Sequence, residues 1–248
     1  MKSSNAPQPE LSIVVPAFNE AARINRTLSE IVLFMQDSLP EVTYEVVLSV
    51  QGNDSTAELA RQAHQDMENL IIIDSRNTVG KGQNVHAGLQ AAHGTYAMFM
   101  DADLATPLHH LPALLSKLRD GTDVVMAQRN LVEIHKWLRT IVSVGGNLAI
   151  RLLVMKGVHD TQCGFKGFSR RAIEIITERQ TIFGWGFDIE YLVIAIRHKL
   201  TIDSFEITDW YDPKEFGAMA DENPIKAGLS VFIELIKIKL NDIAGRYS

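Results

Sequence analysis

The chain has 248 residues, of which 46% are hydrophobic, and its formal net charge at pH 7 is −6. That length supports one large or two small domains with a sizeable core, and the hydrophobic fraction is ordinary for a globular protein. The acidic balance argues against a general nucleic-acid binder, which would carry a basic surface. We therefore expect a packed, soluble protein with no nucleic-acid partner.

The single cysteine, Cys163, excludes an internal disulfide, and a lone cysteine is most often a small buried hydrophobe. The first residues do not form a basic-then-apolar signal segment, and no apolar run approaches the roughly 20 residues of a spanning helix. The expected location is cytoplasmic, with any membrane contact peripheral.

The first part of the chain alternates apolar runs with segments of helical periodicity. After a polar tail over residues 1–10, which we expect to be disordered, strands are predicted over residues 11–15, 44–50, 70–74 and 96–100, and helices over residues 21–35, 56–67 and 83–92. This alternation is typical of βαβ units and a mostly parallel sheet flanked by helices. Ligands bind such sheets beyond the carboxyl ends of the strands, where the polar loops converge.

Two carboxylates follow the fourth predicted strand, because Asp101 and Asp103 stand where the apolar run 96–100 gives way to a loop. Carboxylates are costly to bury unless they are paired or hold a cation, and Mg²⁺ or Mn²⁺ prefers oxygen ligands together with substrate phosphates. The pattern is consistent with a metal-diphosphate clamp. The alternative is a polar strand end in which Asp103 caps the following helix.

A glycine-lysine-glycine turn, Gly80-Lys81-Gly82, precedes the third predicted helix. The glycines would let the backbone approach a ligand closely, and Lys81 adds charge at a helix start that favours anions. A simple turn with a solvated lysine is the alternative.

Further elements are predicted in the second part of the chain. Helices are predicted over residues 108–118, 134–155, 170–179, 191–196 and 224–243, and strands over residues 123–127 and 201–207. Arg129 follows one of these strands, and Arg139 lies within the predicted helix 134–155. Arginine forks match phosphate oxygens, although a helix face with solvated charges is the alternative for Arg139.

The C-terminal helix carries one apolar stripe with lysines beside it. The stripe comprises Leu229, Phe232, Ile233, Ile236 and Leu240, and the lysines are Lys226, Lys237 and Lys239. Such a helix either lies on a membrane surface or packs against the core or a partner.

Three motifs in this order resemble the family-two inverting nucleotide-sugar glycosyltransferases of GT-A fold: Val15-Pro16-Ala17-Phe18-Asn19-Glu20, then Gly80-Lys81-Gly82, then Asp101-Ala102-Asp103. Within that family, residues 101–107 and 160–168 are most similar to the dolichyl-phosphate β-glucosyltransferases and related polyprenyl-phosphate sugar synthases. The resemblance implies an α/β, Rossmann-like single catalytic domain over residues 11–213. Residues 11–107 would form its nucleotide-sugar half and residues 108–213 its acceptor half, followed by a loop and amphipathic helix over residues 214–248.

The resemblance also implies a role for individual residues. The metal, Mg²⁺ or Mn²⁺, would be held by Asp101 and Asp103. The donor would contact Pro16, Phe18, Glu20, Gln51, Asn77, Lys81, Asp101 and Asp103. The acceptor would contact Arg129, Arg139, Trp185 and Glu190. The catalytic residues would be Asp188, as base or acceptor-positioning group, with Lys166 and Arg129.

One segment departs from the family pattern, because Val50-Gln51-Gly52-Asn53-Asp54-Ser55 stands where the family usually shows Asp-Asp-Gly-Ser after a strand. The amide of Gln51 can still hydrogen-bond the edge of a base. The implied activity is metal-dependent, inverting sugar transfer from a UDP- or GDP-sugar to a polyprenyl or dolichyl phosphate. A hydroxyl acceptor, a nucleotidyltransferase and a degenerate sugar-nucleotide-binding protein are the alternatives, and homo-oligomer formation stays open.

Overall fold

The computed structural model describes residues 8–75, 80–129, 163–211 and 224–248. The strands are β1 (Leu11–Phe18), β2 (Tyr44–Gln51), β3 (Leu70–Asp74), β4 (Tyr96–Met100), β5 (Val124–Arg129), β6 (Phe165–Ser169) and β7 (Ile202–Ile207). The helices are α1 (Ile24–Ser38), α2 (Thr56–Ala63), α3 (Lys81–Ala91), α4 (Leu111–Arg119), α5 (Arg170–Arg179), α6 (Phe187–Arg197) and α7 (Pro224–Ile243), and a 3-10 turn (Leu108–His110) precedes α4.

The strands form one seven-stranded sheet in the order β3-β2-β1-β4-β6-β5-β7. The four strands β3, β2, β1 and β4 are mutually parallel, and β5 is parallel to β7. The remaining strand, β6, runs antiparallel to both of its neighbours, β4 and β5. The carboxyl ends of β1, β2, β4, β5 and β7 therefore meet at one edge of the sheet, together with the amino end of β6.

Each face of the sheet is covered by its own hydrophobic layer. Helices α1, α2 and α4 pack on one face through residues such as Ile31, Ala57 and Leu114. Helices α3, α5, α6 and α7 pack on the other face through residues such as Leu89 and Tyr191. Because both faces are buried, the central strands are almost continuously apolar, as expected for a mostly parallel sheet.

The strand β6 was absent from the predicted elements, because its sequence Phe-Lys-Gly-Phe-Ser contains a lysine and a glycine. Both residues are nevertheless buried. Gly167 lies against Leu114 and Leu118 of α4, where a Cβ would come within 2.5 Å of the Leu114 side chain. Lys166 pairs across the sheet with Phe99 of β4 and lies on the opposite face.

One predicted segment boundary differs in the structure. The predicted disordered tail overlaps the sheet, because the carbonyls of Pro9 and Glu10 accept hydrogen bonds from the N–H groups of Thr95 and Tyr96 at 3.1 and 2.9 Å. Residues 1–7 and the predicted helix 134–155 lie outside the described residues.

The C-terminal helix α7 packs against the core, but it does so through residues outside the predicted stripe. Leu235 and Ile238 are buried in the layer that covers the second face. The stripe residues remain at the surface, namely Phe232, Ile233, Ile236 and Leu240, and Ile243 extends the exposed row. Among the described residues, no helix has both the length and the apolar character needed to cross a membrane.

Candidate active site

Asp101 is the first residue after β4, and its carboxylate is enclosed on two sides. Its Oδ1 atom lies 2.6 Å from Nζ of Lys81. A Cβ on Gly164 would lie 1.9 Å from Oδ2 of Asp101, so only glycine leaves room for this carboxylate. The N–H of Asp101 also donates to the carbonyl of Gly164 at 3.1 Å. The antiparallel strand β6 therefore begins directly beside the metal-ligand candidate.

Asp103 and Glu20 are two further carboxylates near Asp101. Burial raises the pKa of Asp103, and the negative charge of Asp101 raises it further. Burial also raises the pKa of Glu20 to about 7, against the lowering effect of Arg23, whose Nε lies 2.7 Å from Oε2 of Glu20. Asp103 and Asp101 contribute to the raised pKa of Glu20. The three carboxylates are thus close enough to repel one another.

The Asp103 side chain stabilises a turn instead of capping a helix. Its Oδ1 atom accepts the N–H of Ala105 at 2.9 Å, and the 3-10 turn begins only at Leu108. Tyr211 holds the same loop from outside, because its hydroxyl donates to the carbonyl of Asp103 and its N–H to the carbonyl of Ala105, both at 3.2 Å. The alternative interpretation of Asp103 as a helix cap is therefore wrong.

A buried ion pair joins β6 to α6. Nζ of Lys166 lies 2.9 Å from Oδ1 of Asp188 and donates to the carbonyl of Cys163 at 2.5 Å. The two charged side chains are 1% and 6% exposed, and Cys163 is buried, as predicted. Burial raises the pKa of Asp188, whereas the ammonium groups of Lys166 and Lys81 lower it and the charge of Asp101 raises it. The pair therefore belongs to the same electrostatic cluster as the carboxylate that follows β4.

Lys81 lies between these carboxylates and an aromatic ring. Burial lowers the pKa of Lys81, but the carboxylates of Asp101 and Asp188 outweigh it and raise the pKa above its ordinary value. Its Nζ also lies 5.7 Å from the centroid of the half-buried Trp185 ring, within the range of a cation-π contact. We call Lys81, Asp101, Asp103, Lys166 and Asp188 the charged cluster.

The glycines beside Lys81 have a structural partner within the protein. Gly80 has a φ of +118°, and a Cβ there would lie 2.3 Å from the carbonyl oxygen of Phe183. A Cβ on Gly82 would lie 2.7 Å from Cβ of Phe187, and the N–H of Gln83 donates to the carbonyl of Phe183 at 3.1 Å. In the structure these glycines permit a close approach to the segment preceding α6, and the predicted approach to a ligand stays a prediction.

The loop that carries Glu20 is organised by Asp54, which the motif analysis did not single out. The carboxylate of Asp54 accepts the N–H groups of Ala21 at 2.9 Å and Thr56 at 3.0 Å. The hydroxyl of Thr56 in turn accepts the N–H of Glu20 at 2.9 Å. The ion pair between Glu20 and Arg23 lies in the turn before α1, where the N–H of Arg23 also donates to the carbonyl of Glu20 at 3.0 Å.

Glu190 has a different set of partners from the acceptor contact that the resemblance implies. It is fully buried, and its carboxylate accepts the N–H groups of Thr181 at 3.0 Å and Ile182 at 2.8 Å. The hydroxyl of Tyr247 donates to its Oε1 atom at 2.7 Å. Glu190 therefore anchors the segment before α6 from the interior of the protein.

Helix α7 supports the same segment from the other side. The N–H of Gly186 donates to Oε2 of Glu234 at 2.7 Å, and a Cβ on Gly184 would lie 1.9 Å from Oε1 of Glu234. These contacts flank Trp185 and so hold its ring near Lys81. Sequence reasoning missed Glu234, because its role depends on a contact between residues 48 positions apart.

The other predicted site residues lie along the same edge of the sheet or outside the described residues. Pro16 falls in the part of β1 that pairs with β2 alone, where a missing N–H is tolerated. Phe18 is exposed at the end of β1, and Gln51 is buried at the end of β2. Arg129 ends β5 and stacks on the ring of Trp210, with its Cζ 5.0 Å from the ring centroid. Asn77 and Arg139 lie outside the described residues.

The residues after β4 fit a hard divalent cation. Asp101 and Asp103 offer carboxylate oxygens, the donor type that Mg²⁺ and Mn²⁺ prefer. The mutual repulsion that raises the pKa of Asp103 is the repulsion that a dication would relieve. Lys81 partly neutralises this charge.

This sheet, with a carboxylate pair after its fourth strand, defines a GT-A fold. Glucosyl-3-phosphoglycerate synthase from Mycobacterium tuberculosis, in complex with Mn²⁺, UDP and phosphoglyceric acid, aligns with a TM-score of 0.69 over 97% of this chain and 79% of that chain, at 18% identity. Mannosyl-3-phosphoglycerate synthase from Rubrobacter xylanophilus aligns with a TM-score of 0.73 over 96% and 76% of the two chains, at 14% identity. At these identities the likeness establishes the fold alone, and it confirms the predicted fold class.

The chain belongs to glycosyl transferase family 2, whose sequence profile matches residues 12–176. It is 28% identical over 249 residues to a dolichyl-phosphate beta-glucosyltransferase of Trichomonas vaginalis, covering 95% of this chain and 76% of that protein. It is 32% identical over 210 residues to glycosyltransferase AglD of Haloferax volcanii, covering 83% of this chain and 33% of that longer protein. The predicted family and the predicted enzyme class, a glycosyltransferase, are confirmed.

Proposed function

We propose that this protein transfers a sugar, with inversion at the anomeric carbon, from a nucleotide-diphosphate sugar to a polyprenyl or dolichyl phosphate. The observation that carries the proposal is the charged cluster at the carboxyl edge of the sheet. Similarity to a dolichyl-phosphate beta-glucosyltransferase over 95% of the chain supports the lipid-phosphate acceptor. UDP-glucose is accordingly the first donor to test, followed by GDP-sugars.

The donor diphosphate would lie over the residues that follow β4. Asp101 and Asp103 are the residues that would hold Mg²⁺ or Mn²⁺, and the metal would supply charge neutralisation of the departing nucleotide diphosphate. The Mn²⁺ bound in the structural neighbour glucosyl-3-phosphoglycerate synthase supports a divalent cation of this kind. Lys81 would add a positive charge on the same side, because its raised pKa keeps the ammonium protonated at neutral pH.

Asp188 would act on the acceptor side. In the reaction an acceptor oxygen forms a bond to the anomeric carbon while the bond from that carbon to the donor diphosphate oxygen breaks. A phosphate acceptor is already anionic at neutral pH, so no proton has to be removed, and Asp188 would orient the acceptor and the sugar. Lys166 fixes the Asp188 carboxylate at 2.9 Å, so that its position does not depend on the substrate.

The exposed face of α7 supports a peripheral membrane contact, which would bring a lipid phosphate to this site. Phe232, Ile236 and Leu240 are about half exposed and recur every four residues, so they share one face of the helix. Lys237 and Lys239 are exposed on the same helix and would favour an anionic surface. Glu234, one turn from these residues, contacts the segment that carries Trp185.

The direct test is product formation by wild-type protein and by Asp103→Asn with UDP-glucose and dolichyl phosphate, with and without Mn²⁺. Wild type should release UDP and form a lipid-linked sugar, and the variant should lose turnover, because one of the two carboxylates that would hold the metal becomes an amide. Asp37→Asn is the matched control, since Asp37 is an exposed aspartate of α1. Unchanged turnover in Asp103→Asn would remove the metal clamp from the mechanism.

The acceptor is tested separately by comparing dolichyl phosphate with dolichol and with a small hydroxyl acceptor. Product with dolichyl phosphate alone would support the proposal. Product with the hydroxyl compounds would make the protein a glycosyltransferase of hydroxyl acceptors, in which Asp188 would have to serve as a base. Donor binding without any product would favour the degenerate binding protein.

A further inference from the structure

Two histidines and an aspartate lie close together at the edge of the sheet where the carboxyl ends of the strands meet, outside the charged cluster. His109 and His110 end the 3-10 turn before α4, and Asp209 follows the carboxyl end of β7. Nε2 of His109 lies 3.0 Å from Oδ2 of Asp209, and Nε2 of His110 lies 2.6 Å from Oδ1 of the same carboxylate. Within the described ranges, this is the only group of three histidine, cysteine, aspartate or glutamate side chains whose possible ligand atoms all lie within 4.8 Å of one another.

The geometry of the group is set by the fold. Because the two histidines are neighbours in one turn, their ring centroids are 4.2 Å apart, and both rings present Nε2 to one carboxylate. The His110 ring is largely buried and packs against Phe205 of β7, with centroids 6.1 Å apart. His109 and Asp209 are exposed, which leaves the group accessible from solvent.

We propose that His109, His110 and Asp209 form a binding site for a borderline divalent transition-metal ion such as Zn²⁺. Two imidazole nitrogens and one carboxylate oxygen are a ligand set that zinc accepts, with a fourth position open to water. Mg²⁺ prefers oxygen ligands and would be a poor occupant. The donor set therefore separates this site from the carboxylate pair Asp101 and Asp103.

The fold keeps the two sites apart but connects them. In the sheet, β6 and β5 lie between β4, which precedes the Asp103 loop, and β7, which precedes Asp209. Two residues after Asp209, the hydroxyl of Tyr211 donates to the carbonyl of Asp103, and its N–H donates to the carbonyl of Ala105. An ion bound by His109, His110 and Asp209 would tie this segment to the turn that follows the Asp103 loop.

The test is calorimetric titration of Zn²⁺ into the protein carrying Asp101→Asn and Asp103→Asn, which removes the other candidate metal ligands. We expect one Zn²⁺ per chain, no comparable heat with Mg²⁺, and at least about tenfold weaker binding after His109→Gln or Asp209→Asn. His93→Gln is the matched control, because His93 is a similarly exposed histidine whose Nδ1 lies 3.1 Å from the Glu45 carboxylate.

A second measurement separates lost binding from lost stability. The unfolding midpoint of each variant is recorded in EDTA and in Zn²⁺, so that each variant serves as its own reference. We expect Zn²⁺ to raise the unfolding midpoint of the Asp101→Asn/Asp103→Asn protein, and of the same protein carrying His93→Gln. The midpoint should not rise when His109→Gln is added. The proposal would be overturned if the Asp101→Asn/Asp103→Asn protein bound no stoichiometric Zn²⁺. It would also be overturned if adding His109→Gln left the affinity for Zn²⁺ unchanged. Neither result depends on sugar transfer.

Discussion

The buried pair of Lys166 and Asp188 allows stability and catalysis to be separated. Lys166→Met removes the nearest counter-ion of a carboxylate that is 6% exposed. Breaking a buried ion pair by removing one partner costs about 3–5 kcal/mol of unfolding free energy. In a domain of this size each kcal/mol lowers the melting temperature by about 2–4 °C, so we expect a fall of about 6–20 °C. Lys81, whose charge also acts on Asp188, favours the lower end of this range.

The double variant Lys166→Met/Asp188→Leu removes both charges together. Replacing a buried ion pair by apolar side chains is often neutral or stabilising, so we expect most of the lost unfolding free energy to return. Activity should be lost in the double variant, because the proposed acceptor-positioning carboxylate is gone. Lys117→Met is the matched control: the pair of Lys117 and Asp203 is at the surface, with side chains 32% and 48% exposed. Such a pair contributes at most about 1 kcal/mol.

The assay is urea unfolding followed by fluorescence and circular dichroism, with turnover measured on the same preparations. Coincident transitions and an unchanged dependence on urea would license a comparison of unfolding free energies. A Lys166→Met protein within about 1 kcal/mol of wild type would refute the stability argument. An active double variant would refute the role that we propose for Asp188.

The buried carboxyl of Glu20, the glycine beside Asp101 and the hydroxyl that contacts Glu190 can each be tested by one substitution. Because the pKa of Glu20 is raised to about 7 in the folded state, that state keeps a proton which the unfolded state releases above about pH 4.5. The unfolding free energy of wild type should therefore fall between pH 5 and 7, by at most about 1.4 kcal/mol per pH unit from this group, and Glu20→Gln should flatten that fall in denaturation curves. Gly164→Ala should displace the Asp101 carboxylate and weaken Mn²⁺-dependent binding of UDP-sugars about 10–100-fold in calorimetry. Tyr247→Phe should lower the unfolding free energy by about 1–3 kcal/mol in urea titrations, because the Glu190 carboxylate loses a donor at 2.7 Å.

Each of these predictions has a contrary outcome. Parallel pH profiles for wild type and Glu20→Gln would show that the Glu20 carboxyl is not titrating differently in the folded state. Unchanged affinity in Gly164→Ala would show that the carboxylate of Asp101 is not constrained by the start of β6. A Tyr247→Phe protein as stable as wild type would show that the bond from Tyr247 to Glu190 contributes nothing to stability.

Some features of this protein could be derived from short stretches of sequence. The strands β3 and β4 and the helix α5 have the bounds that their apolar patterns predict, because each is a short run with clear flanking signals. Asp101 and Asp103 could be identified as candidate metal ligands because they directly follow a buried strand, where carboxylates are costly unless they are paired or hold a cation. Cys163 could be predicted to be buried because the chain has a single cysteine and a lone cysteine is most often a small buried hydrophobe.

Other features depend on contacts that no local pattern encodes. The sequence of β6 is a poor strand by itself, and it becomes one because β4 and β5 supply hydrogen-bond partners on both sides. Several apolar residues of α7 could face the core, and the tertiary structure buries Leu235 and Ile238 while it leaves Phe232 and Ile236 exposed. Periodicity identifies an apolar helix, but packing selects its buried face.

The sequence by itself determined the alternating α/β architecture, the family resemblance and the candidate carboxylates, because these depend on periodicity and on motifs of a few residues. The tertiary structure alone decided that Lys81 pairs with Asp101 and Lys166 with Asp188, and that Glu190 serves the interior. Burial, ion pairing and pKa arise from residues that are distant in the chain and adjacent in the fold. Only the assembled sheet brings Lys81 to Asp101 and Lys166 to Asp188.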